Sequence, residues 1–174
     1  MTRKFFALIL ALLLFATLIS CSKSDPTVPE GMKLASNDIV DYRLYVPKNW
    51  IVDMSTGVTS AYHSSIDTSN ISLVVSSLNS ANITPTEYWD SYKEQYTQTF
   101  PDLEELETAN LLFGGKHAES HVFTATMMET KYKFQQVIAI HGTDAYIFTY
   151  TATEDKYDKH IEDVKKIIEN FEFN

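Results

Sequence analysis

The residues best placed to do chemistry at short range are His117, Glu119 and His121, in the run His117-Ala118-Glu119-Ser120-His121. Imidazole and carboxylate groups serve as metal ligands and as general acids or bases. On a strand, alternate side chains share a face, so these three point one way. They are also spread out: neighbours in the series stand about 6.6 Å apart along the strand, and the two histidines about 13 Å. Zinc bonds of about 2 Å do not bridge that span. At most one histidine with Glu119 shares an ion, and the expected reading is the solvated polar face of a strand. His63, His141 and His160 read as turn and surface residues. Glu104-Glu105 is an adjacent pair in a polar stretch and reads as solvated charge, not as carboxylates opposed across a cleft. Gly114-Gly115-Lys116 lacks the spacing of a phosphate-binding loop, and no nucleophile elbow, paired-histidine zinc helix or calcium loop occurs. The expectation is no catalytic residue, no metal ligand and no cofactor, hence a protein that is not an enzyme.

Cys21 is the one cysteine, and a thiol can form a thioether to diacylglycerol. Its setting is specific. Arg3 and Lys4 make a basic start, Phe5 to Ile19 form an apolar run, and Leu18-Ile19-Ser20-Cys21 follows. That order is a secretory signal. The apolar run is shorter than the ~20 residues of a spanning helix. The four closing residues resemble the lipobox of bacterial lipoproteins. The resemblance implies cleavage before Cys21, palmitate-type acyl chains on that residue, and a protein lipid-anchored to the cell membrane on its extracytoplasmic side. Two acyl chains suffice for stable anchoring. Residues 1–20 are thus read as signal peptide and 21–37, rich in Ser, Pro and Gly, as the lipidated cysteine and a flexible tether. Residues 38–174 are read as one globular domain.

Charge restricts partners further. The full chain carries a net charge of −9. Loss of residues 1–20 removes Arg3 and Lys4 and no acid, leaving 12 bases against 23 acids, or −11. Such a surface repels nucleic-acid backbones and anionic headgroups alike, so no nucleic-acid binding is expected. With no further thiol, disulfides and thiolate sites are also excluded from the domain.

The elements that carry these residues are legible from periodicity and punctuation. Residues 41–46, 51–54, 59–63 and 71–75 are strand candidates, the first closed by Pro47. Thr84, Pro85 and Glu87 make a capping box with proline at the first helical position, and the helix runs to about Thr99 before Pro101. Tyr88, Tyr92, Tyr96 and Phe100 recur every four residues beside Trp89, and this stripe is expected to face a core, as is Trp50. Residues 106–113 and 116–126 flank Gly114-Gly115, and residues 131–140 and 145–151 flank a turn at His141–Asp144, so two hairpins are expected. Tyr146, Phe148 and Tyr150 fall on one face of the last strand, with Ala145, Ile147 and Thr149 on the other, so both faces of its sheet are expected to be covered. A final helix starts near Thr153, acidic at its beginning, with Lys165 and Lys166 near its end as its dipole favours. The fold class is α+β, an antiparallel β-sheet flanked by helices.

Two segments resemble a known family. Tyr42-Arg-Leu-Tyr-Val-Pro-Lys-Asn-Trp50 is similar to the opening of PsbP-like domains. The strand Tyr146 to Thr151, the acidic helix start and the closing Phe171-Glu-Phe173 are similar to their end. The resemblance spans residues 39–173 and implies an α/β/α sandwich. It brings no photosystem-binding motif that can be matched residue by residue. The function expected is a noncatalytic, membrane-anchored envelope domain that binds a protein partner or assists assembly. The alternative is a lipoprotein that binds a small ligand or metal in a groove between sheet and helix.

Overall fold

The computed structural model describes residues 27–79 and 82–174; Cys21 and the leader lie outside the described residues. The chain order is β1 (Met32–Leu34), β2 (Tyr42–Arg43), β3 (Tyr45–Pro47), β4 (Ile51–Asp53), β5 (Thr59–Tyr62), β6 (Asn70–Ser77), α1 (Pro85–Thr99), β7 (Glu104–Phe113), β8 (Lys116–Met127), β9 (Thr130–His141), β10 (Asp144–Thr153), α2 (Tyr157–Glu169) and β11 (Glu172–Phe173). Seven strands form one antiparallel sheet in the order β4-β5-β6-β10-β9-β8-β7. The architecture is the expected α+β sandwich.

The alternation along β10 decides the layering. Tyr146, Phe148, Tyr150 and Ala152 project to one side, where they meet Trp50, Val164 and Ile167 in the larger core. Ala145 and Ile147 project to the other side and join Tyr88, Trp89, Phe123 and Ile138. A strand covered on both faces is largely apolar on both, and here Thr149 and Thr151, half-buried, interrupt the second face. α2 therefore lies on one face of the sheet and α1 on the other.

α1 begins where the capping box places it. Thr84 Oγ1 accepts the Glu87 N–H at 3.2 Å, and Glu87 Oε2 accepts the Thr84 N–H at 2.8 Å. Two of the helix's unpaired amides are satisfied in this way. Tyr88 and Trp89 are buried, Tyr96 and Phe100 half-buried, while Tyr92 leans into solvent. α2 starts at Tyr157, later than Thr153, because Thr153 Oγ1 donates to Asp155 in a preceding turn and Lys156 supplies no side-chain cap.

Residues 32–36, expected to belong to a flexible tether, are part of the fold. Met32–Leu34 pairs antiparallel with Tyr45–Pro47, and Met32 and Ala35 are buried in the larger core. The Ser36 hydroxyl donates to the Tyr42 carbonyl and accepts the Leu44 N–H, fastening the same stretch. At the other end Glu172–Phe173 pairs with Tyr42–Arg43, so both ends of the domain close on one segment.

Candidate functional site

Strand β8 carries His117, Glu119 and His121, and only His117 faces solvent. The expected solvated face is overturned for the other two. α1 covers that side of the sheet, and the His121 ring stacks on Trp89 at 4.0 Å between centroids and 11° between planes. Burial of a histidine and a glutamate demands polar partners. His121 Nδ1 lies 2.9 Å from Glu105 Oε1, and Lys93 Nζ lies 2.6 Å from Glu105 Oε2. His121 Nε2 and Glu119 Oε2 are 3.5 Å apart, close enough for an ion pair but not aligned as a hydrogen bond. Glu105 is thus a bridge between α1 and the sheet, not solvated charge. Burial alone raises its pKa, but Lys93, His121 and Thr108 outweigh that and hold it at about 2. The arrangement Lys93–Glu105–His121–Glu119 clamps α1 to β7 and β8.

A second cluster was not legible in the sequence. His63 follows β5, Asp67 lies in the β5–β6 loop, and His160 comes from α2. The two histidines were expected to be turn and surface residues, yet His160 is buried and its Nε2 sits 3.0 Å from Asp67 Oδ2. His63 Nδ1 is 4.0 Å from the same oxygen, and the two imidazole centroids are 4.3 Å apart. Burial favours a neutral Asp67, but Ser69, His160 and Lys156 together hold its pKa well below the usual carboxylate range. The signal that could have found the group is the burial stripe of α2, on which His160 falls between Tyr157 and Val164.

Between α2 and strands β7, β8 and β9 lies a groove of about 310 Å³. Leu111, Val122, Tyr157 and Ile161 give it apolar walls, and Lys133, Lys165, Glu107 and Asp158 a charged rim. Gln135 Nε2 donates to Ser120 Oγ at 3.1 Å, while Gln135 Oε1 is buried with no protein partner. A further exposed feature is β7, an edge strand of ten residues with β8 on one side only. Among the described residues no helix is long and apolar enough to cross a membrane.

The sequence profile of the PsbP family matches residues 31–173. No curated protein matches the chain. Among solved structures, the cyanobacterial PsbP of Synechocystis is similar in fold, with a TM-score of 0.62 and 14% identity over 90% of this chain and 99% of that one. A Pseudomonas aeruginosa protein of unknown function superposes with a TM-score of 0.52 and 15% identity, covering 80% of this chain and 94% of the other. LpqN of Mycobacterium tuberculosis, described as involved in cell envelope biogenesis, gives 0.50 and 13%, covering 86% and 82%. At these identities the structures speak for the fold alone. The profile match covers nearly all of the domain, from β1 to β11, and on that ground the chain belongs to the PsbP family.

Proposed function

We propose that this protein is a noncatalytic envelope domain, held on the extracytoplasmic side of a membrane through diacylglycerol on Cys21, where it binds a protein partner. The observation that carries the partner reading is the uneven protection of β7. Edge strands present unpaired main-chain groups, and proteins blunt them with charge and bulges. The first half of β7 has both, in Glu104, Glu105, Glu107 and the irregularity between Glu105 and Glu107. The second half, Thr108 to Phe113, has no charged residue, and Leu112 is 68% exposed. Such an edge suits strand addition, in which main-chain hydrogen bonds give affinity and alternate side chains give selectivity. The shared fold of LpqN, whose description names envelope biogenesis, supports the setting.

The test is a photo-crosslinking residue placed at Leu112 in the full chain within its own membranes, with Ile51 on the opposite edge as control. A single adduct specific to position 112, weakened by Ala109→Pro, is expected. No adduct, or equal labelling from both edges, contradicts the proposal. A second reading, small-ligand binding, is favoured by the unpartnered Gln135 Oε1 in the sheet–helix groove. Native mass spectrometry of the chain gently extracted from its membrane would then show a retained small molecule that Val122→Trp displaces.

A further inference from the structure

We propose that His63, Asp67 and His160 form a binding site for a divalent ion of the zinc type, at the junction of the β5–β6 loop with α2. The inference is independent of the partner reading, since β7 lies at the opposite edge of the sheet from β4 and β5.

The three donors come from separate parts of the chain and are fixed by the backbone. The His63 N–H donates to the Ser69 carbonyl, and the Ser64 N–H to the Asp67 carbonyl, so the loop returns Asp67 toward His63. The Asp67 N–H donates to Ser64 Oγ. α2 brings in His160 across 93 residues of sequence. One ligand atom from each lies within 4.8 Å of the others. Donors around a tetrahedral zinc, at about 2.0–2.1 Å, stand roughly 3.3 Å apart. The separations of 3.0 and 4.0 Å from Asp67 Oδ2 bracket that value.

Two further features favour an ion here. His63 Nδ1 is buried and has no hydrogen-bond partner, which is costly for a polar atom unless something takes its lone pair. The carboxylate is also divided in its duties. Oδ1 accepts the Ser69 hydroxyl at 2.7 Å and the Ser69 N–H at 3.2 Å, and Lys156 approaches it at 3.7 Å. Oδ2 alone faces the imidazoles. Ligating carboxylates are held by outer hydrogen bonds of this kind. Trp50 packs edge-on against both rings, at 6.1 and 5.8 Å, and limits their rotation. His63 is 31% exposed on its side chain, leaving room for water as a further ligand.

Two nitrogens and one carboxylate suit zinc, cobalt or nickel, whereas calcium and magnesium favour all-oxygen sites. An ion at this point would take the lone pair of His160 Nε2, with the ring proton carried on Nδ1, and would replace the direct contact between His160 and Asp67. Lys156 opposes the ion by like charge, so Lys156→Met should raise the affinity.

Cobalt(II) is the spectroscopic probe, added to the full chain in detergent micelles after chelator treatment. Visible ligand-field bands saturating at one cobalt per chain are expected, bleached by zinc and unaffected by magnesium. Zinc at about 100-fold its dissociation constant should raise Tm by about 5–10 °C. Both signals should vanish in His63→Ala, whose half-exposed ring lets the fold survive, and persist in His117→Ala. Absence of bands in the unaltered chain, their survival in His63→Ala, or their loss in His117→Ala would overturn the proposal.

Discussion

Glu105 shows how a single carboxylate couples pH to stability. Its pKa falls from an ordinary 4.5 to about 2 in the folded chain. A depressed carboxylate contributes stability that is fully present above the unfolded value and is lost as pH drops through the folded one. Acidification from about pH 5 to about 2 should therefore remove roughly 2–3 kcal/mol through this group. In Glu105→Gln the acid limb of a stability–pH profile, read by urea denaturation, should be flatter by that amount. A profile parallel to that of the unaltered chain would mean that Lys93 and His121 do not depend on this carboxylate. Gly114 makes a second local demand. It has φ +57°, and a Cβ there would stand 2.5 Å from the Phe173 ring, whereas Gly115, at φ +73°, has nothing near. Gly115→Ala should cost about 1–2 kcal/mol for the left-handed backbone, and Gly114→Ala about 1–3 kcal/mol more for the collision. Equal denaturation midpoints for the two variants would show that the β11 tail gives way freely. The spacing of His117, Glu119 and His121 correctly put them on one face, because strand period is local. It said nothing of what lies above that face, and α1 with Trp89 lies there. His63, Asp67 and His160 are joined by helix docking, which no local pattern encodes.

The elements were more legible than the contacts between them. Thr84, Pro85 and Glu87 place the start of α1 to the residue, because capping is written in adjacent side chains. Thr84→Ala should cost about 1 kcal/mol by leaving the Glu87 amide without its acceptor. A midpoint in thermal or urea denaturation indistinguishable from the parent would show that water replaces the cap at no cost. The Gly114-Gly115 and Gly142 turns were equally legible, since all three residues have positive φ. The β8–β9 turn was not. It forms at Met128 and Glu129, both with positive φ, and neither residue type advertises a left-handed backbone. β1 is not legible in the sequence for a different reason. Three residues inside a Ser-, Pro- and Gly-bearing stretch are too few for alternation to register, and the pairing of Met32–Leu34 with β3 is a tertiary event. β11 is two residues long and exists only through β2.

Taken together, these elements make an α+β sandwich in a chain of net charge −9. Under the proposed cleavage before Cys21 the net charge of −11 gives no attraction to anionic headgroups, so in that proposal the acyl chains supply the membrane residence. The proposed partner would then be basic, or would engage main chain at the uncharged half of β7. The most direct measurement is the intact mass of the chain extracted from its own membranes, with labelled palmitate supplied during growth. The expected species begins at Cys21, carries the mass of diacylglycerol on that residue, and contains the label. Cys21→Ser should give an unlabelled, uncut precursor, because a hydroxyl does not replace the thiol in the transfer. A labelled Cys21→Ser protein, or an unaltered chain that leaves the membrane unmodified and still begins at Met1, would contradict lipid anchoring and with it the envelope role.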